Sequence, residues 1–166
     1  AFEKSLLEEL SLINEKNNIQ QFATNFKENP ETYVPLVYDE YCTNNILCME
    51  FVDGIKVTDV GQMKLLNINP AHISEVGLRL FLSQILDFGF FHADPHAGNI
   101  LVTKDGKVTF IDFGAVGKIQ PNDNEILENF IMSFLAKKPQ KIVRSLKKLS
   151  LYYSIPDERE FENDVT

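Results

Sequence analysis

A chain of 166 residues with 44% hydrophobic content is sized for one domain with a core of its own. Its formal net charge of −8 argues against a surface built for nucleic acid or an anionic membrane. Two cysteines, Cys42 and Cys48, with no histidine near them give neither a disulfide framework nor a zinc site, and free thiols in an intracellular fold are expected.

Leu6, Leu7, Leu10 and Ile13 recur at helical spacing, which predicts a helix over ~3–25 with Glu8, Glu9 and Glu15 on its polar side. Asn29-Pro30 and Val34-Pro35 break the chain into a loop. A hairpin over ~36–51 follows, turning at Thr43-Asn44-Asn45, and Asp53-Gly54 ends its second strand in a turn. Thr58 is expected to cap a short helix running through Leu66. Asn69 as N-cap and Pro70 at the first helical position open a longer helix over ~70–88. Its Ile73, Val76, Leu80, Leu82, Ile85 and Leu86 cover much of the circumference, which marks a buried central helix, while His72 reads as a surface residue. The most apolar run, Leu78 to Phe91, carries Arg79 and Asp87 and is too short to span a bilayer; no targeting segment is visible. Further on, Ile100-Leu101-Val102 and Val108-Thr109-Phe110-Ile111 flank Lys104-Asp105-Gly106, and Asp-Gly between such runs signals a second hairpin. After Pro121 a helix spans ~123–136, and another follows Pro139. Lys137, Lys138, Lys141, Arg144, Lys147 and Lys148 lie on or near its exposed face, as a solvated surface or as a site for an acidic lipid or partner.

The chemistry is concentrated between the central helix and the second hairpin. His92-Ala93-Asp94-Pro95-His96-Ala97-Gly98-Asn99, followed by Asp112-Phe113-Gly114, reads as the catalytic and metal-binding half of a kinase-type phosphotransfer site. In that chemistry an Asp orients or deprotonates the attacking hydroxyl, and an Asn five residues on holds magnesium together with the Asp of a later Asp-Phe-Gly. Asp94 and Asn99 have that offset, and Asp112 stands thirteen residues beyond Asn99. A hairpin explains the gap, because a chain that leaves Asn99 on one strand and returns on the next brings Asp112 back beside it. Mg2+ takes oxygen ligands, usually one or two from protein with phosphates and waters completing the octahedron. Asn99 and Asp112 would be that pair, with Mg2+ and ATP as cofactors and Asp94 facing the acceptor. His92 and His96 read as loop-stabilising residues, with His96 also able to approach a phosphate; magnesium needs neither. A decoy lies upstream: Asp87-Phe88-Gly89 ends the apolar helix, where Gly89 is placed to terminate it, so Asp87 reads as structural.

The wording of this loop resembles the UbiB-like atypical kinase family, associated with coenzyme Q (ubiquinone) biosynthesis. Val34-Pro35-Leu36-Val37-Tyr38 and Ile46 to Gly54 are similar to that family's strand pair leading into the hinge, and Glu15-Lys16-Asn17-Asn18 matches its Glu-x-x-Asn signature in the equivalent of the kinase C-helix. Glu9-Leu10-Ser11 stands where the family usually has Glu-x-Asp, and Ala97 replaces a usual Pro. The resemblance implies an α+β protein-kinase-like fold, with residues 1–51 as part of an N-lobe (helix plus β-hairpin, hinge start) and 52–166 as a mostly helical C-lobe. It implies that Met49, Glu50 and Val52 lie at the hinge, where backbone groups hydrogen-bond adenine, and that Glu15 or Glu9 pairs with a strand lysine. That lysine, its Lys-x-Gly-Gln signature and a loop over the phosphates are not found in the sequence, so the chain is expected to be a fragment, inactive alone, of an atypical kinase or ATPase. ATP and a lipid or small-molecule acceptor are the implied partners, nucleic acid is not, and the protein is expected to be cytoplasmic or membrane-associated. A small-molecule kinase of the aminoglycoside or choline kinase type shares His-x-Asp-x-x-x-x-Asn, and a non-catalytic pseudokinase-like module is the alternative from another class.

Overall fold

A computed structural model of the chain describes residues 11–120 and 123–149, which fall in two compact units, 1–117 and 118–166. The first unit starts with helix α1, Leu12–Asn25. Ser11 is its N-cap, and the Ser11 hydroxyl oxygen accepts from the Asn14 amide at 3.3 Å. That bond satisfies one of the amides a helix start leaves without an intrahelical partner. The expected helical residues ~3–10, Glu8 and Glu9 among them, lie outside the described residues. Ile19 and Phe22, three apart and so on one face, are 0% and 1% exposed and put α1 into the core.

In chain order there follow strand β1 (Thr32–Tyr33), strand β2 (Gly54–Lys56), helix α2 (Val60–Leu65), helix α3 (Pro70–Leu86) and strand β3 (Phe90–His92). Strands β4 (Ile100–Thr103), β5 (Val108–Phe110) and β6 (Val116–Lys118) come next. One sheet has the order β1-β5-β4-β2, with β1 parallel to β5 and the other neighbours antiparallel; β3 and β6 form a separate pair. The β4–β5 hairpin forms at the Asp-Gly signal, in the register Ile100↔Phe110, Leu101↔Thr109 and Val102↔Val108. Gly106 sits in it at φ +84°, a conformation glycine adopts without a Cβ penalty. A single core joins Ile19, Phe22 and Phe26 from α1 with Met63, Ile73, Val76, Leu80, Val102, Val108, Phe110 and Phe113. The first unit is thus an α+β fold.

The structure corrects several local expectations. The hairpin over ~36–51 is reduced to two isolated antiparallel bridges, Val37↔Met49 and Thr43↔Ile46, with a 3-10 turn at Asp39–Tyr41 between them. Lys16 and Gln20 of α1 each reach an Asp39 carboxylate oxygen at 2.7 Å, which draws that turn to the helix instead of into a ladder. Gly54 starts a strand where a turn was expected: β2 pairs with β4, Gly54↔Thr103 to Lys56↔Leu101. A Cβ on Gly54 would stand 2.9 Å from the Leu101 Cβ, so the close approach of the two strands excludes a side chain. Helix α2 is capped by Asp59, not Thr58, through an acceptor bond from the Gln62 amide at 2.9 Å. Asn69 and Pro70 do open α3, with the Asn69 side chain accepting from the Ala71 amide at 3.0 Å. Its buried residues form one stripe, Ile73, Val76, Leu80 and Gln84, while Leu78 and Leu86 are exposed.

The second unit pairs helix α4 (Asn124–Leu135) with α5 (Pro139–Leu149). Ile142 and Val143 are buried, while Lys137, Lys138, Lys141, Arg144 and Lys148 are exposed, as a solvated basic face requires. Among the described residues no helix is long and apolar enough to cross a membrane.

Candidate functional site

Strand β3 delivers the chain to the loop that starts at His92. This imidazole is 1% exposed and packs against Phe110 and Phe113, with ring centroids 5.5 and 5.9 Å away. The His92 amide donates to Gln84 Oε1 at 2.8 Å, and the His92 ring Nδ1 accepts from the Asp94 amide at 3.1 Å. Burial pushes the His92 pKa down, against the weaker pull of the Asp112 backbone and the Asp112 and Asp94 carboxylates. With Nδ1 accepting, a proton on the uncharged ring sits on Nε2, which is buried. Gln84 was missed from sequence; a single amide on an apolar helical stripe carries no signal of the loop it will hold.

The Asp94 carboxylate is exposed, and His96 Nε2 lies 3.9 Å from its Oδ2. His96 turns its other nitrogen inward: Nδ1 accepts from the Gly98 amide at 3.0 Å and caps the 3-10 turn Ala97–Asn99. Asn99 is then fixed from both sides, its amide donating to the His96 carbonyl and its carbonyl accepting from the Ile111 amide, each at 3.0 Å. The second of these bonds carries the β4–β5 pairing one residue further and sets Asp112 beside Asn99. Asn99 Nδ2 lies 3.3 Å from Asp112 Oδ2, and Asp112 Oδ1 accepts from the Gly114 amide at 2.9 Å.

Glu15 approaches from α1. Its Oε1 accepts from the Phe113 amide at 3.2 Å, while Asn18 Nδ2 donates to the Phe113 carbonyl at 2.9 Å. Burial raises the Glu15 pKa, opposed by the Phe113 amide and reinforced by the Asp112 charge. A carboxylate so placed gains from a cation nearby. Asn18 was quoted only as part of a signature; its contact, 95 residues away in sequence, has no local pattern.

The expected hinge residues are not adjacent to one another in role. Met49 packs against the core and bridges Val37, and the Glu50 amide donates to the Leu36 carbonyl at 2.8 Å. The Glu50 carboxylate accepts from the Leu36 amide at 3.2 Å and from the Tyr33 hydroxyl, and the bond to the hydroxyl pushes the Tyr33 pKa up to about 12. Phe51 is 89% exposed, and the Val52 carbonyl accepts from the Gly54 amide at 3.1 Å. Among the described residues no hydrogen bond uses the backbone of Met49 or Phe51. Both cysteines are free thiols, and the Cys48 amide donates to Cys42 Sγ at 3.3 Å.

The ABC1 atypical kinase-like domain matches residues 1–146, so the chain belongs to that family. A probable protein kinase UbiB from Photorhabdus laumondii is 40% identical over 138 residues, 80% of this chain and 25% of the relative. The chloroplastic protein ACTIVITY OF BC1 COMPLEX KINASE 1 of Arabidopsis thaliana is 40% identical over 126 residues, 76% of this chain and 18% of the relative. The chain thus spans a quarter or less of these relatives' length. The solved complex of Rv3197 with erythromycin from Mycobacterium tuberculosis has a TM-score of 0.64 at 21% identity, covering 95% of this chain and 40% of that one, and shows the kinase-like fold.

Proposed function

We propose that this chain carries the catalytic-loop and metal-binding half of an ATP-dependent phosphotransferase or ATPase of the UbiB-like kind. The observation that carries the reading is the meeting of Asn99 and Asp112 at 3.3 Å across the β4–β5 hairpin. The donor set suits Mg2+: one exposed carboxylate and one half-buried side-chain amide, both offering oxygen. Two protein oxygens with phosphates and waters completing the shell is the usual magnesium arrangement at nucleotide sites. With Mg2+ bound, charge on the transferring phosphoryl group is neutralised.

The chain's own residues do the rest. Asp94 accepts a hydrogen bond from the attacking hydroxyl and takes its proton as the new O–P bond forms at the γ-phosphorus. The bond from that phosphorus to the bridging oxygen breaks, and ADP leaves. Water in the acceptor's place gives ADP and phosphate. His92 holds the Asp94 backbone through Nδ1, and the cap made by His96 holds the turn that carries Asn99. Backbone groups of Met49 to Val52 would take adenine, and the half-buried Glu15 carboxylate would pair with a lysine ammonium. Residues 1–51 and 52–166 are then the two lobes' shares, and a lipid or small molecule on the route to ubiquinone is the acceptor class the family suggests.

The test is Mn2+ binding in the presence of ATP, followed by electron paramagnetic resonance. Asp112→Asn is expected to abolish it and Asp87→Asn to leave it intact. Equal loss in both variants, both folded by circular dichroism, would reject the assignment.

A further inference from the structure

Glu15 and Asn18 stand three residues apart on α1, hence on one face, and both reach Phe113. A carboxylate can only accept and a side-chain amide can donate, so the pair satisfies the amide and the carbonyl of one residue. Phe113 is also held by its ring, 0% exposed and edge-on to Phe22 of the same helix at 5.1 Å. The carbonyl that Asn18 holds belongs to the Phe113–Gly114 peptide group. The N–H of that same peptide group donates to Asp112 Oδ1 at 2.9 Å. A continuous relay therefore runs from Asn18 Nδ2 through one peptide plane to the Asp112 carboxylate, whose other oxygen faces Asn99. Such chained hydrogen bonds polarise one another. Glycine at 114 leaves this plane wide rotational freedom unless something outside holds it.

We propose that Asn18 is a positioning residue for Asp112: by fixing the Phe113–Gly114 peptide plane it aims the Gly114 amide, and with it the Asp112 carboxylate. α1 and the Asn99–Asp112 pair are then one coupled unit, and displacement of the helix would turn the carboxylate away. The geometry stands by itself; its consequence for metal rests on the reading of Asp112 as a magnesium ligand.

Asn18→Leu removes the donor at similar volume, and Asn18→Gln keeps a donor on a longer arm. Two readouts separate the claims: hydrogen exchange at the Gly114 amide, and Mn2+ affinity in the presence of ATP. Asn18→Leu is expected to speed Gly114 exchange and weaken Mn2+ about tenfold, the low end for loss of an outer-shell partner. Exchange at Ile19 and Phe22 should stay as in the wild type, and Asn18→Gln should recover part of both losses. Unchanged Gly114 exchange in Asn18→Leu would overturn the relay. Faster Gly114 exchange with unchanged Mn2+ affinity would overturn the positioning role, provided Asp112→Asn abolishes Mn2+ binding. If Asp112→Asn leaves Mn2+ binding intact, the metal reading is what fails, and Gly114 exchange still decides the relay. Should Asn18→Leu not fold, Asn18→Asp sets an anion against the same carbonyl in the same shape and is read by the same outcomes.

Discussion

Asp87-Phe88-Gly89 closes helix α3, and Asp112-Phe113-Gly114, the same tripeptide twenty-five residues on, follows strand β5. In the first, the Asp87 carboxylate is taken by the Ser83 hydroxyl one helical turn back, Phe88 is 39% exposed, and Gly89 sits at φ +57° where the helix stops. In the second, the Asp112 carboxylate meets Asn99 and the Gly114 amide, and Phe113 is wholly buried with both of its peptide groups held from α1. A helix end consumes a carboxylate locally. A strand end leaving a hairpin presents one to whatever the paired strand carries, so the tripeptide acquires its role from the element before it.

The comparison breaks most sharply at catalysis. In a form of the protein that turns over nucleotide, Asp94→Asn is expected to lower turnover by about two or more orders of magnitude, the scale of a positioned acid–base group. ATP affinity by calorimetry should hardly change, since Asn99 and Asp112 remain; a matching collapse of affinity would make Asp94 a metal or structural residue. The hydrophobic halves of the two tripeptides come next. Phe113→Ala should cost about 3–5 kcal/mol of stability, as for a fully buried phenylalanine. Phe88→Ala should cost about 1 kcal/mol, chiefly its edge-on contact with Phe26 at 5.0 Å. Similar costs from chemical denaturation would mean that the two segments are packed alike.

A smaller effect sharpens the role of α1. Burial raises the folded-state pKa of Glu15 above its ordinary 4.5, so the folded chain holds that proton more tightly than the unfolded chain. Its contribution to stability is therefore fully present below 4.5 and is lost as pH rises through the folded pKa. Glu15→Gln keeps an acceptor for the Phe113 amide without the buried charge. The variant should match the wild type at low pH and become the more stable of the two as pH rises, by thermal melts across that range. A wild type that stays the more stable at neutral pH would show that Glu15 already has a cationic partner.

What the sequence showed and what it hid divide along the same line. The β4–β5 hairpin, the Asn69–Pro70 helix start and the return of Asp112 to Asn99 are local: Asp-Gly, Asn-Pro and short β-branched runs fix them within a few residues. The pairing of β2 with β4 and the grip of Glu15 and Asn18 on Phe113 join distant residues, and nothing at either end announces the other; Gln84 stands only eight residues before His92, but one amide on an apolar stripe gives no sign of what it will hold. Gly54 was misread because Asp-Gly marks a turn in isolation, whereas here the missing side chain lets two strands approach. The ~36–51 hairpin fell short because Asp39 is held by α1, a competitor that no hairpin pattern contains.

The most direct measurement follows line broadening by Mn2+ in the amide spectrum of this chain at millimolar ATP. Amides from Gly98 to Ile100 and from Ile111 to Gly114 should broaden first, with Asp87 to Gly89 left sharp. Broadening centred on Asp87, or spread evenly over the acidic surface, would contradict the pairing of Asn99 and Asp112 as the metal site.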